Sequence, residues 1–383
     1  MAREGDMGDR RPAEVFHPGE HLLDELNARG WTQTEFAEIV GRPVRTVNEI
    51  VNGRRGITPE TARGFAAALG TSPEFWLNLD SAYLLWKARE DVSPIERRAR
   101  MRAQYPVRDM ALRKWIRSSE DVQVVESQLL RFFEVPTLQA KPKHAFTAAP
   151  RRSAPEREEL SPIQKAWLYR VKHIGDAMQV PRYSAKRLGT AVQRLEAYRE
   201  APEEIRNIPK VLAECGVRLV IVEPLPSSKI DGVCIWVGAS PVIGLSLRFD
   251  RIDNFWFVLR HEIEHVLNGD GKDLAILDSE VVEDSRREDL SPREQAANNA
   301  AAEFCVPQKE LDSFMLRKGP LFSRKQVLAF AKTLRLHPGL VAGQLRRRLD
   351  RWDLFGEMLV PIRSTITPVA MTDGYGHVCP VDV

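Results

Sequence analysis

Cysteine is scarce in this 383-residue chain: Cys215, Cys234, Cys305 and Cys379 are its four, with no C-x-x-C pair. That spacing excludes a disulfide framework and a cysteine zinc site, and the four read as small buried hydrophobes. Long apolar runs are missing too: no uncharged stretch approaches the ~20 residues a membrane-spanning helix needs. The opening residues, MAREGDMGDRRPAEVF, lack the apolar core of a secretory signal, so the expectation is a cytoplasmic protein without a membrane partner. A strong excess of one charge is also absent, since 56 Lys and Arg against 53 Asp and Glu leave a net charge of +3. The distribution says more. Residues 1–80 hold nine basic and thirteen acidic side chains, whereas residues 81–160 hold sixteen and eleven. If residues 1–80 bind nucleic acid, they must do so through a local basic patch, not through bulk charge.

What is present is globular: 43% hydrophobic and 28% charged residues. Single cores stop growing near ~250 residues, so two or three domains are expected. The pattern divides the chain into a disordered tail (1–14), a front domain (15–90), a helical middle segment (91–204), a mixed domain (205–350) and a C-terminal tail (351–383). The front holds five short helices. PGEHLLDELNARG closes at Gly30, and TQTEFAEIV opens with a Thr32/Glu35 capping box and stops at Gly41. PVRTVNEIV sets Val44, Val47 and Val51 on one inward stripe, followed by TPETARGFAAALG and SPEFWLNLDSAYLLWKARE. Residues 141–162, with four prolines, read as a linker. After Val217 come three β-branched runs, VRLVIVE, GVCIWVG and PVIGLSL, then helices near 254–268, 292–305, 323–335 and 338–350. There is no internal repeat.

The stretch RHEIEHVLNGD, residues 260–270, carries the sharpest chemical signal. His261 and His265 are four apart, so on a helix both imidazoles leave one face, a turn apart. Two ring nitrogens can then share one ion at ~2.0–2.1 Å each. Glu262 lies about 100° round the helix, where it can reach a water on that ion without binding the metal. The bland alternative is a pair of satisfied surface or core histidines. A catalytic zinc site needs a third protein ligand and an open fourth position. Downstream, PREQAANNAAAEFCVP offers Glu294 and Glu303. Glu294 is preferred, with Asn298 one turn on to orient a ligating histidine. Glu303 is about 13 Å further along the helix, too far for both to serve. Zinc is the expected cofactor, with manganese or another divalent ion left open by affinity order and availability. His173 and His337 read as surface histidines.

PVIGLSLRFDRIDNFWFVLRHEIEHVLNGD followed by EQAANNAAAEFCVP resembles the ImmA/IrrE family of bacterial metallopeptidases, over roughly residues 205–345. The resemblance implies a strand before the H-E-x-x-H helix, a third ligand from the E-x-x-A-N helix, and cleavage of helix-turn-helix repressors. One departure is Glu264, where glycine is common in the family; it lies outside the ligand positions. On this reading Glu262 is the general base that passes its proton to the leaving amine. A substrate peptide is expected to add as an extra strand, either to Gly232–Val237 or, preferably, to Val242–Leu247.

TQTEFAEIVGRPVRTVNEIVNG reads as helix, turn, helix, the architecture that places a second helix in the major groove. The outward set on that helix includes Arg42, Arg45, Thr46 and Asn48; Arg45 suits guanine and Asn48 adenine. Gln33, Arg54 and Arg55 are placed for phosphates. A plain helical hairpin in an acidic bundle is the alternative. From His17 to about Trp86 the chain is similar to the HigA-type antitoxins of the Xre repressor family. That similarity implies operator DNA as a partner, binding as a homodimer, autoregulation and toxin neutralisation.

The expected fold is mainly α with a small β-sheet: a five-helix helix-turn-helix domain, a helical middle segment and an α+β zincin-like metallopeptidase domain. Three functions are compatible. The first is a DNA-binding regulator or antitoxin whose zinc endopeptidase cleaves a protein partner, a repressor or toxin. The second is a DNA-binding antitoxin whose zinc domain binds a partner without proteolysis. The third is a metallopeptidase using the front helices to bind proteins. Intact ligands and Glu262 favour the first over the second, and the arginines around Arg45 favour both over the third.

Overall fold

The computed structural model describes residues 15–88, 93–138, 140, 160–272, 276–279 and 290–381. The expected tail 1–14 and most of the expected linker 141–162 lie outside the described residues. The chain forms two compact units, Met1–Pro94 and Ile95–Val383. Among the described residues no helix is long and apolar enough to cross a membrane.

The front unit is built from α1 (Pro18–Arg29), α2 (Gln33–Ile39), α3 (Val44–Val51), α4 (Pro59–Leu69) and α5 (Pro73–Lys87). Their ends follow local chemistry. Thr32 and Glu35 form the capping box, and Gly30 and Gly70 take left-handed conformations, φ 68° and 75°, that end α1 and α4. Leu22, Leu26, Phe36, Val47, Ile50, Phe65 and Trp76 make the core. The inward stripe of α3 is shifted from the expected one. Val47 and Ile50 are fully buried, Val51 is half-buried, and Val44 is 42% exposed. Val44 occupies the first helical position, where no preceding turn covers it. Gly19 sets the approach of α1 to α3: a Cβ there would stand 2.2 Å from the Ile50 carbonyl oxygen, so only glycine admits this contact.

In the rear unit, α6 (Ser93–Gln104), α7 (Val107–Leu112), α8 (Val122–Phe132), α9 (Pro162–Ala177), α10 (Ala185–Glu196) and α11 (Ile208–Glu214) precede the sheet. The strands are β1 (Arg218–Val222), β2 (Ile230–Val237), β3 (Ser240–Leu245), β4 (Ile276–Ser279) and β5 (Met371–Asp373), in the order β4-β2-β3-β1-β5. β2 and β3 form an antiparallel hairpin, and β1 is parallel to both β3 and β5. Between and after them lie α12 (Ile252–Asn268), α13 (Pro292–Cys305), α14 (Gln308–Lys318), α15 (Arg324–Thr333), α16 (Pro338–Leu349) and α17 (Arg363–Ile366).

Strand periodicity divides the core into two layers. Leu219, Ile221, Cys234, Ile243 and Leu245 face α12 and join Phe255, Trp256, Leu259 and Ile263. Val220, Val222, Val233, Ile235 and Val242 face the other way, against Trp167, Val171 and Ile174 of α9. Strands apolar on both faces need cover on both. The described helices of the expected middle segment supply that cover, so α6 to α10 share a core with the sheet and do not stand apart. The expected C-terminal tail is likewise built in. β5 extends the sheet, and the buried Asp373 pairs with Arg170 of α9 and accepts from Trp115 Nε1 at 2.8 Å. Among the described residues neither expected peptide-docking run is an edge strand: β3 lies between β1 and β2, and β2 between β3 and, from Ile230 to Cys234, β4. All four cysteines are free and buried, with the Cys305 thiol pushed up to about 12 by burial.

Candidate functional site

Two packed helices, α12 and α13, build the site of the rear unit. Arg251 precedes α12 in extended conformation, and Gly269, at φ 73°, stops the helix after Asn268. α13 starts at Ser291, whose side chain accepts from the Glu294 N–H and so fixes the first turn. His261 and His265 leave one face of α12, and their Nε2 atoms lie 3.1 Å apart. Glu294 enters from α13, with Oε2 at 3.5 Å from His261 Nε2 and Oε1 at 3.6 Å from His265 Nε2. Ligands ~2.0–2.1 Å from a tetrahedral ion are separated by about 3.4 Å. The three observed separations bracket that figure. His261 and His265 are fully buried, and Glu294 is 5% exposed. Lone pairs that converge in so buried a place need a cation or a shared proton between them. The donor set therefore fits a divalent ion, and these three are the metal-competent group among the described residues.

The remaining expected residues separate clearly. Glu303 is exposed and accepts from the Gln308 N–H at 2.9 Å, away from the histidines. Asn298 is buried on α13, but its Oδ1 takes no hydrogen bond among the described residues. The task expected of it, orienting a histidine, falls for His265 to Asp270, whose Oδ2 lies 3.1 Å from His265 Nδ1. That contact puts the Nδ1 proton on the Asp270 side and leaves the Nε2 lone pair facing the cluster. Asp270 sits there because Gly269 turns the chain back, and its own N–H donates to the His265 carbonyl at 2.9 Å. The signal was visible as N-G-D after the motif. Glu264 pairs with Arg260 at 2.7 Å on the same helix, so the extra carboxylate is neutralised locally.

Glu262, also fully buried, points toward the sheet. A Cβ at Gly232 of β2 would stand 2.2 Å from Glu262 Oε1, so the missing side chain is what lets the carboxylate lie against the strand. Thirty residues separate the two, and no local pattern in the sequence announces the contact. His173 and His337 are half-buried, not surface groups. His173 Nε2 lies 2.7 Å from the Phe132 carbonyl oxygen, and His337 Nδ1 caps α16 by accepting from Gly339 N–H at 3.1 Å. Burial lowers the pKa of both.

In the front unit, α2 and α3 carry the expected nucleic-acid face. Arg42, Arg45, Asn48, Arg54 and Arg55 are exposed, while Gln33 and Thr46 are half-buried. Asn48 Nδ2 donates to Gln33 Oε1 at 3.2 Å, which ties the two helices on this face. Glu49 accepts from Arg45 Nε at 2.8 Å and lies 3.1 Å from Arg55 Nε, and Arg42 pairs with Glu60 at 3.3 Å. The hydrogen bond from Arg45 holds the Glu49 carboxyl below its ordinary range. The positive patch is thus partly balanced by its own carboxylates, which fits the acidic bulk of the unit.

Comparison with known proteins falls on the same two regions. Residues 22–76 match the Helix-turn-helix family model HTH_3, and residues 215–321 match the IrrE N-terminal-like domain, Peptidase_M78. Antitoxin HigA-1 of Vibrio cholerae is 43% identical over 81 residues, 21% of this chain and 73% of that protein. The uncharacterized HTH-type transcriptional regulator YddM of Escherichia coli is 34% identical over 89 residues, 23% of this chain and 88% of that protein. A solved structure, Pseudomonas aeruginosa antitoxin HigA with higBA promoter, is 37% identical over 20% of this chain and 83% of its own, with a TM-score of 0.19.

Proposed function

The chain belongs to the HTH_3 helix-turn-helix family of HigA-type antitoxins and regulators and carries an IrrE N-terminal-like domain behind that reader, and on this premise we infer that it is a DNA-binding regulator whose rear unit is a zinc endopeptidase. The observation that carries the peptidase half is the convergence of His261, His265 and Glu294, with Glu262 next to His261 on α12 and its carboxylate against Gly232. His261, His265 and Glu294 would hold the ion. Zinc in such a site lowers the pKa of its water to ~7 and polarises a peptide carbonyl. Asp270 keeps His265 in the right tautomer. Glu262, held against the glycine of β2, takes the proton that hydrolysis removes from water and returns it to the leaving amine. The substrate class is a protein partner, a helix-turn-helix repressor or a toxin. The front unit binds operator DNA as a homodimer, with Arg45 and Asn48 toward bases and Gln33, Arg42, Thr46, Arg54 and Arg55 toward the backbone or groove edge.

Complete burial of Glu262 favours a second reading, in which the rear unit binds a partner and does not cut it. One experiment separates the two. The zinc-loaded full chain is incubated with the products of the genes beside its own, in parallel with Glu262→Gln. Fragments from the wild type and none from the variant, at equal zinc content, support cleavage. Equal fragmentation by both rejects Glu262 as the base, and intact partner in both leaves the binding reading. A gel-shift with DNA upstream of the gene tests the reader: binding that Arg45→Ala weakens is expected, and no wild-type binding rejects it.

A further inference from the structure

We propose that the arginine-rich surface of α6, α7 and the loop before α8 is a second nucleic-acid interface, one that grips the phosphates of duplex DNA without reading its sequence; this rests on the DNA-binding reading above. Affinity for any duplex comes largely from Lys and Arg side chains that neutralise phosphates. The front unit brings few of these. Residues 1–80 are acidic overall, and on the expected reading face Glu49 pairs with Arg45 and Arg55, and Glu60 with Arg42. Directly behind, residues 93–121 hold eight Arg or Lys and four Asp or Glu. Lys87 ends α5 and Ser93 begins α6, so the six residues between those ends span at most about 22 Å. That tether presents DNA held by the reader to these arginines at a high effective concentration.

The arginines are positioned and uncommitted. α6 buries Met101 alone, so its arginines are not there to cover the core. Arg102 of α6, Arg108 of α7 and Arg117 of the following loop line one cleft of about 310 Å³, with Ser118 and Ser119 beside them and no carboxylate in the lining among the described residues. All three are exposed, and among the described residues none of their guanidiniums has an ion pair or a hydrogen bond. The loop that presents Arg117 is held from two sides. Gln128 of α8 accepts from the Arg117 N–H at 2.6 Å and donates to its carbonyl at 3.2 Å, and Arg98 of α6 donates to the Glu120 carbonyl at 2.7 Å. Val107, Ala111 and Val125 add apolar surface to the cleft, along which arginine stems can lie while their heads stay in water. The carboxylates of this segment, Glu96, Asp109, Glu120 and Asp121, are outnumbered two to one. α6 has 12 residues and is about 18 Å long, a length over which a duplex carries about ten phosphate charges. Cations spread along a helix and an adjoining loop suit such a row, and the planar fork of arginine suits each phosphate in it.

The test follows the salt dependence of DNA binding by the full chain. Fluorescence anisotropy is read on a labelled duplex spanning the DNA upstream of the gene and on a scrambled duplex of the same composition. Each phosphate contact adds about 0.9 to the slope of log affinity against log salt. The triple variant Arg102→Gln, Arg108→Gln, Arg117→Gln should therefore lower that slope by about 2.7, equally on both duplexes. Raising salt from about 50 to about 200 mM then costs the wild type about fortyfold more affinity than the variant. A control triple, Arg324→Gln, Lys325→Gln, Lys332→Gln, takes the same charge from exposed positions of α15 and should change the slope by less than about 1. Thermal melts confirm that both triples fold, and the three single Arg variants, each worth about 0.9, serve if the first does not. An unchanged slope, a loss as large in the control, or a loss confined to the upstream duplex overturns the surface. So does wild-type binding to single-stranded RNA or to polyglutamate that is tighter than to either duplex and is lost in the Arg102 triple, because the occupant is then a different polymer. The operator reader is judged apart from it. Equal wild-type binding to both duplexes, with the slope loss intact, leaves the surface standing and rejects the reader. A preference for the upstream duplex that Arg45→Ala removes, with an unchanged slope in the Arg102 triple, does the reverse.

Discussion

Replacing Asp270 tests the metal centre without needing a substrate. Its Oδ2 stands 3.1 Å from His265 Nδ1, and the residue is 7% exposed, so little solvent competes for that contact. Asp270→Ala removes the acceptor that fixes the imidazole tautomer, and either ring nitrogen can then carry the proton. Loss of such an outer partner costs about tenfold to a hundredfold in metal affinity, equivalent to ~1.4–2.8 kcal/mol. Asp270→Asn keeps an oxygen acceptor but loses the charge. Neutral hydrogen bonds are roughly half as strong, so the expected loss is about threefold to tenfold. Arg293 also reaches Asp270, at 3.4 Å, but its side chain is 72% exposed, and Arg293→Ala should change affinity by less than about twofold. The assay is competition for zinc against a chromophoric chelator at fixed pH, with metal content checked independently. If Asp270→Ala binds zinc within about twofold of wild type, or if Arg293→Ala costs as much, the assignment of Asp270 to His265 is wrong.

Three further outcomes follow from the packing. Gly232→Ala should leave zinc affinity unchanged while cutting hydrolysis of any cleaved partner about a hundredfold, because the new Cβ displaces the Glu262 carboxylate; parallel loss of zinc would point to general damage instead. Arg170→Ala strands the buried Asp373 carboxylate and should cost ~3–5 kcal/mol in a urea titration of the full chain followed by fluorescence; a cost below about 1 kcal/mol would mean that Asp373 finds another partner or is protonated. Burial holds His17 below its ordinary value of 6.5, against opposing pulls from Asp80 and Glu20, and its Nδ1 accepts from Gly19 N–H at 2.9 Å. A depressed histidine contributes stability above that ordinary value and loses it as pH falls through the lowered one, so melting of the front unit should drop as pH goes from 7.5 toward 5 by roughly the scale of one linked proton. In His17→Asn, which keeps a capping oxygen that does not titrate, that part of the pH dependence should vanish; an unchanged profile removes His17 as its source.

Much of the local structure was readable because local rules govern it. Thr32, Gly30, Gly70 and Gly269 begin and end helices through their own backbone chemistry, and α12 and α13 fall within two residues of the expected spans. The four-residue repeat of His261 and His265 places two rings together whatever the rest of the fold does. Glu294 required a choice between two carboxylates on one helix, and it is the one the packing of α12 on α13 brings to the histidines. What stayed hidden depends on approaches between distant segments. Gly232 matters only because β2 passes beneath Glu262, and Asp373 because β5 brings it to Arg170 of α9. The double-faced sheet did leave a trace: VRLVIVE is apolar nearly throughout, which already demands cover on both faces. Val44 shows the opposite error, since a periodic stripe says nothing about whether the first turn has a neighbour above it.

The bonds made by Asp373 also bear on how the molecule comes into being. Arg170 and Trp115 meet it across 203 and 258 positions. During synthesis from the N-terminus, domains fold in order of emergence. The helix-turn-helix unit holds its buried apolar core within residues 22–76 and can close early. The rear unit must keep two buried polar groups waiting until residue 373 appears. For an interval set by translation speed, the nascent chain can therefore display a folded helix-turn-helix unit while the rear scaffold is still unfinished.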